Sequence, residues 1–130
     1  MAPAACETLY QHFQDTGRGP SYYDLILTGD LGLIGKEIVI ELLESRGYNV
    51  KNNYNDCGLL IFDDQSQDTH SGGSGCACCA TTFSGYVFNQ LQAKKLKRVL
   101  LCATGALMSP TTAQQNESIL GIAHAVSIEV

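Results

Sequence analysis

Short apolar runs of strand length recur along this sequence and alternate with segments that have helical spacing. Such runs, bounded by turn residues, are typical of strands that are buried on both faces of a parallel sheet. Sequences that alternate in this way fold as α/β domains, in which helices cover the sheet. The predicted strands are 24–28 (DLILT), 57–62 (CGLLIF), 99–103 (VLLCA) and 123–128 (AHAVSI).

The segments between these runs predict three helices and a loop. Residues 4–14 have helical spacing, and a second helix follows the first strand and runs to about Arg46, with Gly47 as its C-cap. A third helix is predicted from about Ala77 to Lys95, whereas residues 104–121 are expected to form a long loop. We therefore expect a mixed, mostly parallel sheet flanked by helices, with the C-terminal strand antiparallel.

Length and charge limit the kinds of partner. A chain of 130 residues has room for one domain, 1–130, with a single core. Its formal net charge of -5 argues against a nucleic-acid partner, because phosphate binding requires clustered Lys and Arg. The basic cluster Lys94, Lys95, Lys97 and Arg98 is interpreted as the end of a helix, where cations favour the negative dipole terminus. No apolar stretch approaches the roughly 20 residues of a membrane span.

The six cysteines are expected to be free thiols. The first residues lack the basic segment and apolar core of a secretory signal, so we expect a reducing, cytosolic context. Cys76, Cys78 and Cys79 lie close together, but no second paired cluster has the spacing of a structural zinc site. The sequence therefore predicts no metal site.

His70 lies in a glycine-rich segment, Thr69 to Gly75 (THSGGSG), that precedes the third predicted helix. Such a turn can offer backbone N–H groups and the positive end of a helix dipole to an anion. The same glycines are also explained by tight helix packing, and His70 by an exposed loop position, and the pattern alone favours this second interpretation. Both interpretations stay open at this point.

Asp30 directly follows the first predicted strand, where open α/β sheets place ligand-binding groups. It could act as a general base or as a hydrogen-bond acceptor, or it could cap the following helix. Gly29, Gly32 and Gly35 do not have the spacing of a dinucleotide fingerprint, so no nicotinamide cofactor is expected. Asp30, Asn55 and His70 each adjoin a predicted strand, so we expect them to converge at one end of the sheet.

Other polar residues are predicted to be structural. Asn53, Asn55 and Asp56 are typical of a turn before the second predicted strand. Cys102 ends an apolar strand, where a buried cysteine is more often a small core residue than a nucleophile.

Taken in order, these segments resemble the C-terminal half of the thiolase superfamily. Asp30 falls approximately where that family has the glutamate of its Asn-Glu-Ala-Phe motif. His70 with the following SGGSG is similar to the family's Gly-His-Pro loop, which supplies a catalytic histidine, and 102–105 (CATG) looks like a shifted Cys-x-Gly motif. The resemblance implies His70 and Cys102 as candidate catalytic residues of an acyltransferase of the thiolase or ketoacyl-synthase type.

The departures from that pattern argue against a thiolase reaction. His70 lacks both the preceding glycine and the following proline, and Cys102 is one residue farther from its glycine than the motif demands. The family's nucleophilic cysteine belongs to the N-terminal half, which this chain lacks. We therefore expect a binding protein rather than a complete enzyme, and no cofactor.

A second resemblance covers nearly the whole chain. The segments TGDLG, NYNDCGLLIFD, HSGGSG, ATGALMSP and IAHAVSIE occur together in the order of the stage V sporulation protein AD family. This resemblance implies binding of dipicolinic acid, uptake of that acid into the developing spore, and other stage V sporulation membrane proteins as partners. It also implies that the chain is part of a longer protein that lies beside the forespore or spore inner membrane. The ligand-binding residues expected on this basis are Asp30, Asn55, His70, Ser71, Gly73 and Ser74.

Other functions are open at this point. A structural subunit that completes a heteromeric thiolase fold has the same motifs, and so does the acyltransferase. A half of a thiolase fold is expected to expose an apolar face, on the helix after Asp30 or on the helix after Gly75, that pairs with its other half or with a second copy.

Overall fold

The computed structural model describes residues 1–63, 65–72, 75–107 and 109–130. Its centre is a sheet with strand order β2-β1-β3-β4. β1 is parallel to β2 and to β3, whereas β4 is antiparallel to β3. The sheet confirms the predicted α/β class and the antiparallel C-terminal strand. The strands are β1 (Leu25–Thr28), β2 (Tyr54–Asp56), β3 (Arg98–Ala106) and β4 (Gly121–Glu129).

Two long helices, α1 (Ala2–Thr16) and α2 (Gly32–Ser45), cover one face of the sheet. Their buried side chains form a core with alternate residues of β1 and β3, as the two-residue period of a strand requires. α1 ends at Gly17, whose φ of 65° is the left-handed conformation that glycine adopts at a helix C-terminus. The fully buried side chains of this core include Leu9, Phe13, Ile26, Leu43 and Leu100.

Shorter helical segments cover the other face. α3 (Cys57–Ile61) follows β2 directly, and α4 (Cys78–Thr82) continues through a π-helical turn (Phe83–Val87) into α5 (Phe88–Gln92). The last three segments, α4, the π-helical turn and α5, form a continuous helical run, 78–92, over the second core. Leu27, Val87 and Val99 belong to this core. A short helix, α6 (Pro110–Gln114), lies between β3 and β4. None of the helices in the described ranges combines the length and hydrophobicity needed to cross a membrane.

The predicted strand at 57–62 is wrong, because these residues form α3 and the strand lies just before them, at Tyr54–Asp56. The Asp56 side chain accepts a hydrogen bond from Gly58 N, which caps α3 and stops β2. A short apolar run is compatible with either a buried strand or a buried helix, so periodicity could not distinguish them. The predicted turn at Asn55 and Asp56 is corrected for the same reason, since both belong to β2.

The predicted loop at 104–121 is shorter than expected. β3 extends to Ala106 and pairs with β4 along its full length, up to Gly121. Ser109 accepts a hydrogen bond from Thr112 N and caps α6, in which Pro110 occupies the first turn. The proline that suggested a loop therefore starts a helix.

The buried side chain of Asp56 joins four elements at the carboxyl end of the sheet. Its Oδ2 accepts hydrogen bonds from Thr28 Oγ1 (2.7 Å) and Leu31 N (3.0 Å). Its Oδ1 accepts from Gly32 N and Gly58 N, both at 3.0 Å. One carboxylate thus links the end of β1, the start of α2, the end of β2 and the start of α3.

We predict that Asp56→Ala destabilises the fold by roughly 3 kcal/mol or more. The substitution leaves several buried donors without an acceptor, and each such group costs about 1–3 kcal/mol. Urea unfolding of both variants measures the difference. Asp68→Ala is the control, because the Asp68 side chain is 86% exposed. Equal free energies of unfolding for Asp56→Ala and Asp68→Ala would contradict the role given to Asp56.

Candidate ligand site at the carboxyl end of the sheet

Asp30 lies just beyond the end of β1 and is bound to β3. Its Oδ1 accepts a hydrogen bond from Thr104 Oγ1 at 3.0 Å, and the Asp30 N–H donates to Thr104 Oγ1 at 3.4 Å. Gly29 permits this close approach, since a Cβ there would lie 2.8 Å from Thr104 N. The N-cap of α2 is Leu31, and Asp56 accepts the first amides of the helix. The alternative that Asp30 caps α2 is therefore wrong.

Asn55 lies in β2, beside a lysine from α2. Its Oδ1 accepts hydrogen bonds from Lys36 Nζ at 3.0 Å and from Asp56 N at 2.9 Å. Lys36 is half-buried, so the bond holds a cation close to the outer edge of the sheet. Sequence analysis did not single out Lys36, because a lysine in a helix is usually a solvated surface residue.

The loop that carries His70 and Ser71 reaches the start of α2. The Ser71 carbonyl oxygen accepts a hydrogen bond from Leu33 N, and Gly32 must be glycine there because a Cβ would lie 2.3 Å from that oxygen. The His70 ring extends into solvent with 87% exposure, and its Nδ1 lies 2.9 Å from Asp68 Oδ1. Gly73 and Ser74 lie outside the described residues.

The structure therefore brings Asp30, Asn55 and the His70 loop to one end of the sheet, but their side chains have different neighbours. Asp30 faces Thr104, Asn55 faces Lys36, and the His70 ring is in solvent. Ligand binding by these residues remains a prediction.

Cys102 is fully buried in the core between the sheet and the long helices. Burial raises the pKa of its thiol to about 12, because the thiolate would lose its hydration. A thiol in this environment stays protonated near neutral pH and is inert as a nucleophile. The position of Cys102 thus matches the core interpretation and gives no support to acid-base work.

A cavity of about 340 Å³ adjoins the start of the helical run 78–92. No side chain caps this N-terminus in the described part of the loop, and Ala77 occupies the N-cap position. Helix N-termini carry a partial positive charge that attracts anions, although the Cys78 N–H here already donates to the Gly75 carbonyl oxygen at 3.0 Å. The residues that line the cavity are Ile61, Phe62, Gly75, Cys76, Ala77, Cys78 and Thr81.

The thiol of Cys78 is affected by the carboxylates at the end of the sheet. Burial and, after it, the negative charges of Asp30 and Asp56 raise its pKa to about 11. Cys78 itself lines the cavity. The charges of Asp30 and Asp56 therefore act on a thiol at the start of the helical run, although neither carboxylate lines the cavity.

A second groove, of about 630 Å³, lies at the opposite end of β3. Phe83, Phe88, Leu91 and Ile128 form its apolar wall, and Lys94 and Lys97 of the predicted basic cluster lie at its rim. The described residues hold no group of three or more His, Cys, Asp or Glu side chains suited to a metal ion.

Two comparisons with known proteins agree on one family. The family model described as Stage V sporulation protein AD (SpoVAD) matches residues 1–129. Stage V sporulation protein AD of Bacillus subtilis (strain 168) is 51% identical over 129 residues. That alignment covers 99% of this chain and 38% of the relative, so the chain spans less than half the length of the protein that it matches. This chain belongs to the stage V sporulation protein AD family.

Proposed function

We propose that this chain forms the part of a sporulation protein that binds dipicolinic acid and aids its uptake into the developing spore. The observation that carries the proposal is the family match over residues 1–129. Partnership with other stage V sporulation membrane proteins, and a position beside the forespore or spore inner membrane, are proposed on the same resemblance.

The chemistry of the ligand fits the cavity at the start of the helical run. Dipicolinate is a flat pyridine ring with two carboxylates, so a site for it needs apolar walls and hydrogen-bond donors. Phe62 and Ile61 line the cavity together with Ala77 and Cys78 at the helix N-terminus. That N-terminus has no side-chain cap, and its Cys78 N–H donates to the Gly75 carbonyl oxygen. A volume of about 340 Å³ lies within the range of small-molecule sites.

The proposed site residues then have different roles. On the family resemblance we assign donor roles toward the carboxylates to His70, Ser71, Gly73 and Ser74, which precede the helix N-terminus in sequence; His70 and Ser71 do not line the cavity in this structure. Asn55 holds Lys36, a cation at the same end of the sheet. Asp30 cannot donate a hydrogen bond as a carboxylate, so it acts by holding Thr104 and β3 in place rather than by facing the anion.

The acyl-transfer alternative gains little from the geometry. It needs Cys102 to exchange a proton with the substrate, and this thiol is buried with its pKa raised to about 12. It also needs the His70 ring beside that thiol, whereas the ring is in solvent and pairs with Asp68.

We predict that Gly75→Phe weakens dipicolinate binding at least about tenfold, because a bulky side chain would fill a small cavity. A Cβ at Gly75 meets nothing within 4 Å, so the fold should tolerate the change. Calorimetric titration of dipicolinate measures the affinity. Gly19→Phe is the matched control, because Gly19 is equally open and lies outside the cavity.

His70→Ala tests the donor role in the same titration, where it should weaken binding. The control is His124→Ala, because His124 is an exposed residue of β4. Tight binding by Gly75→Phe, or equal losses in Gly75→Phe and Gly19→Phe, would exclude this cavity as the site.

We further propose that the outward face of β4 pairs with the remaining part of the family's longer chain. Ile122 and Val126 lie on this face with the exposed His124 between them, and they are 54% and 57% exposed. The next residue on the same face, Ile128, continues it into the apolar groove that Phe83 and Phe88 line. The family relative has more than half of its length outside this region, which supplies the partner for such a face.

We expect Ile122→Asp combined with Val126→Asp to abolish pairing with the separately produced remainder of the full-length protein. Burying the two introduced carboxylates would cost more free energy than the contact between the two parts gains. Light scattering of the mixed parts measures the association. Ile34→Asp on α2, where Ile34 is 60% exposed, is the control and should leave pairing intact. Loss of pairing in Ile34→Asp alone would move the interface to α2.

A further inference from the structure

The groove between the helical run 78–92 and the end of β4 has the composition of a small-molecule site. Its volume of about 630 Å³ lies within the range of such sites, roughly 300–1,000 Å³. Phe83, Phe88, Leu91 and Ile128 form its apolar wall, and Leu91 is only 4% exposed, so the groove reaches the second core. The ligand site proposed above uses none of these residues.

Two lysines place positive charge at the rim of this apolar groove. Lys94 and Lys97 line it, whereas Lys95, between them in sequence, and Arg98, directly after them, do not. Arg98 stacks instead on the ring of Tyr22, with its Cζ 4.5 Å from the ring centroid. The basic cluster that the sequence assigned to one helix end is therefore divided, and half of it faces the groove.

Two carboxylates that lie beside Lys97 and the end of β4 are bound to other groups. Asp24 Oδ2 accepts a hydrogen bond from the backbone N–H of Lys97 at 2.7 Å. Glu129 forms an ion pair with Arg18 at 2.6 Å. In the described part of the chain, neither Lys94 nor Lys97 forms an ion pair. Both ammonium groups are thus available to an anion at the mouth of the groove.

We propose that this groove binds a fatty-acid carboxylate, with its acyl tail on Phe88 and Leu91 and its carboxylate beside Lys94 and Lys97. An apolar wall with cations at one rim fits a ligand that has a long apolar tail and charge at one end, since burial of the tail supplies the free energy of binding. Dipicolinate fits this groove less well. Its two carboxylates flank a short ring, so one of them would face the apolar wall without a partner.

Calorimetric titration of decanoate, below its micelle concentration, tests this proposal. We expect saturable binding of decanoate and no binding of decyltrimethylammonium, which has a tail of the same length and the opposite charge. Phe88→Ala should weaken decanoate binding roughly tenfold, because the tail loses apolar contact. Tyr86→Ala is the matched control, since Tyr86 and Phe88 are both 46% exposed and, of the two, Phe88 alone lines the groove.

The rim cations are tested by single substitutions in the same titration. Lys94→Gln and Lys97→Gln should each weaken decanoate binding roughly threefold, a modest loss because exposed ion pairs contribute little. Lys95→Gln changes the net charge equally and should leave the affinity unchanged, because Lys95 does not line the groove. Gly75→Phe should also leave it unchanged, which separates this site from the cavity proposed for dipicolinate.

The titration is repeated on the full-length protein, because Ile128 also ends the exposed face of β4 that is proposed to pair with the remainder. Loss of decanoate binding in the full-length protein would mean that the remainder covers the groove. Equal losses in Phe88→Ala and Tyr86→Ala would mean that the tail binds without a defined site. Attachment to phosphatidylglycerol vesicles without binding of decanoate would assign this face to a membrane surface. Each of these three results would overturn the proposal.

Discussion

The buried carboxylate of Asp56 is the interaction on which the carboxyl end of the sheet depends. Transfer of a carboxylate from water into a protein interior is costly unless hydrogen bonds replace its hydration. Thr28, Leu31, Gly32 and Gly58 all donate to it, so the cost is offset by four donors from β1, the start of α2 and α3. Tyr54 in turn supports Thr28, because the Tyr54 hydroxyl forms a hydrogen bond with Thr28 Oγ1 at 2.9 Å.

This arrangement decides which helix N-terminus is open to a ligand. The first amides of α2 donate to Asp56, and the next, Leu33 N, donates to the Ser71 carbonyl oxygen. An anion at the start of α2 would have to displace these bonds. At the start of the helical run 78–92, Cys78 N donates to the Gly75 carbonyl oxygen, but no side chain caps this terminus among the described residues and it borders a cavity. The structure thus favours the second helix terminus for an anionic ligand, although the first lies closer to Asp30 in sequence.

Sequence patterns predicted the parts of the fold that depend on local periodicity. The strands at Leu25–Thr28, Arg98–Ala106 and Gly121–Glu129 were recognised because each is an apolar run with turn residues beside it. The helix at Cys57–Ile61 was mistaken for a strand because its identity depends on capping by Asp56, a contact that periodicity cannot show.

The candidate site was predicted only in outline. Asp30, Asn55 and the His70 loop do meet at one end of the sheet, as the rule for parallel strands requires. Their individual contacts could not be predicted, because Thr104 and Lys36 come from distant parts of the chain.

The central claim is that Asp56 occupies the first amides of α2, so that the proposed dipicolinate site lies at the start of the helical run. Amide chemical shifts of the ¹⁵N-labelled chain, followed by NMR during titration with dipicolinate, test it most directly. The account predicts shifts at Cys76, Ala77 and Cys78 that saturate with the ligand, while Leu31 and Gly32 stay constant. Saturating shifts at Leu31 and Gly32, with Cys76 to Cys78 unchanged, would contradict it.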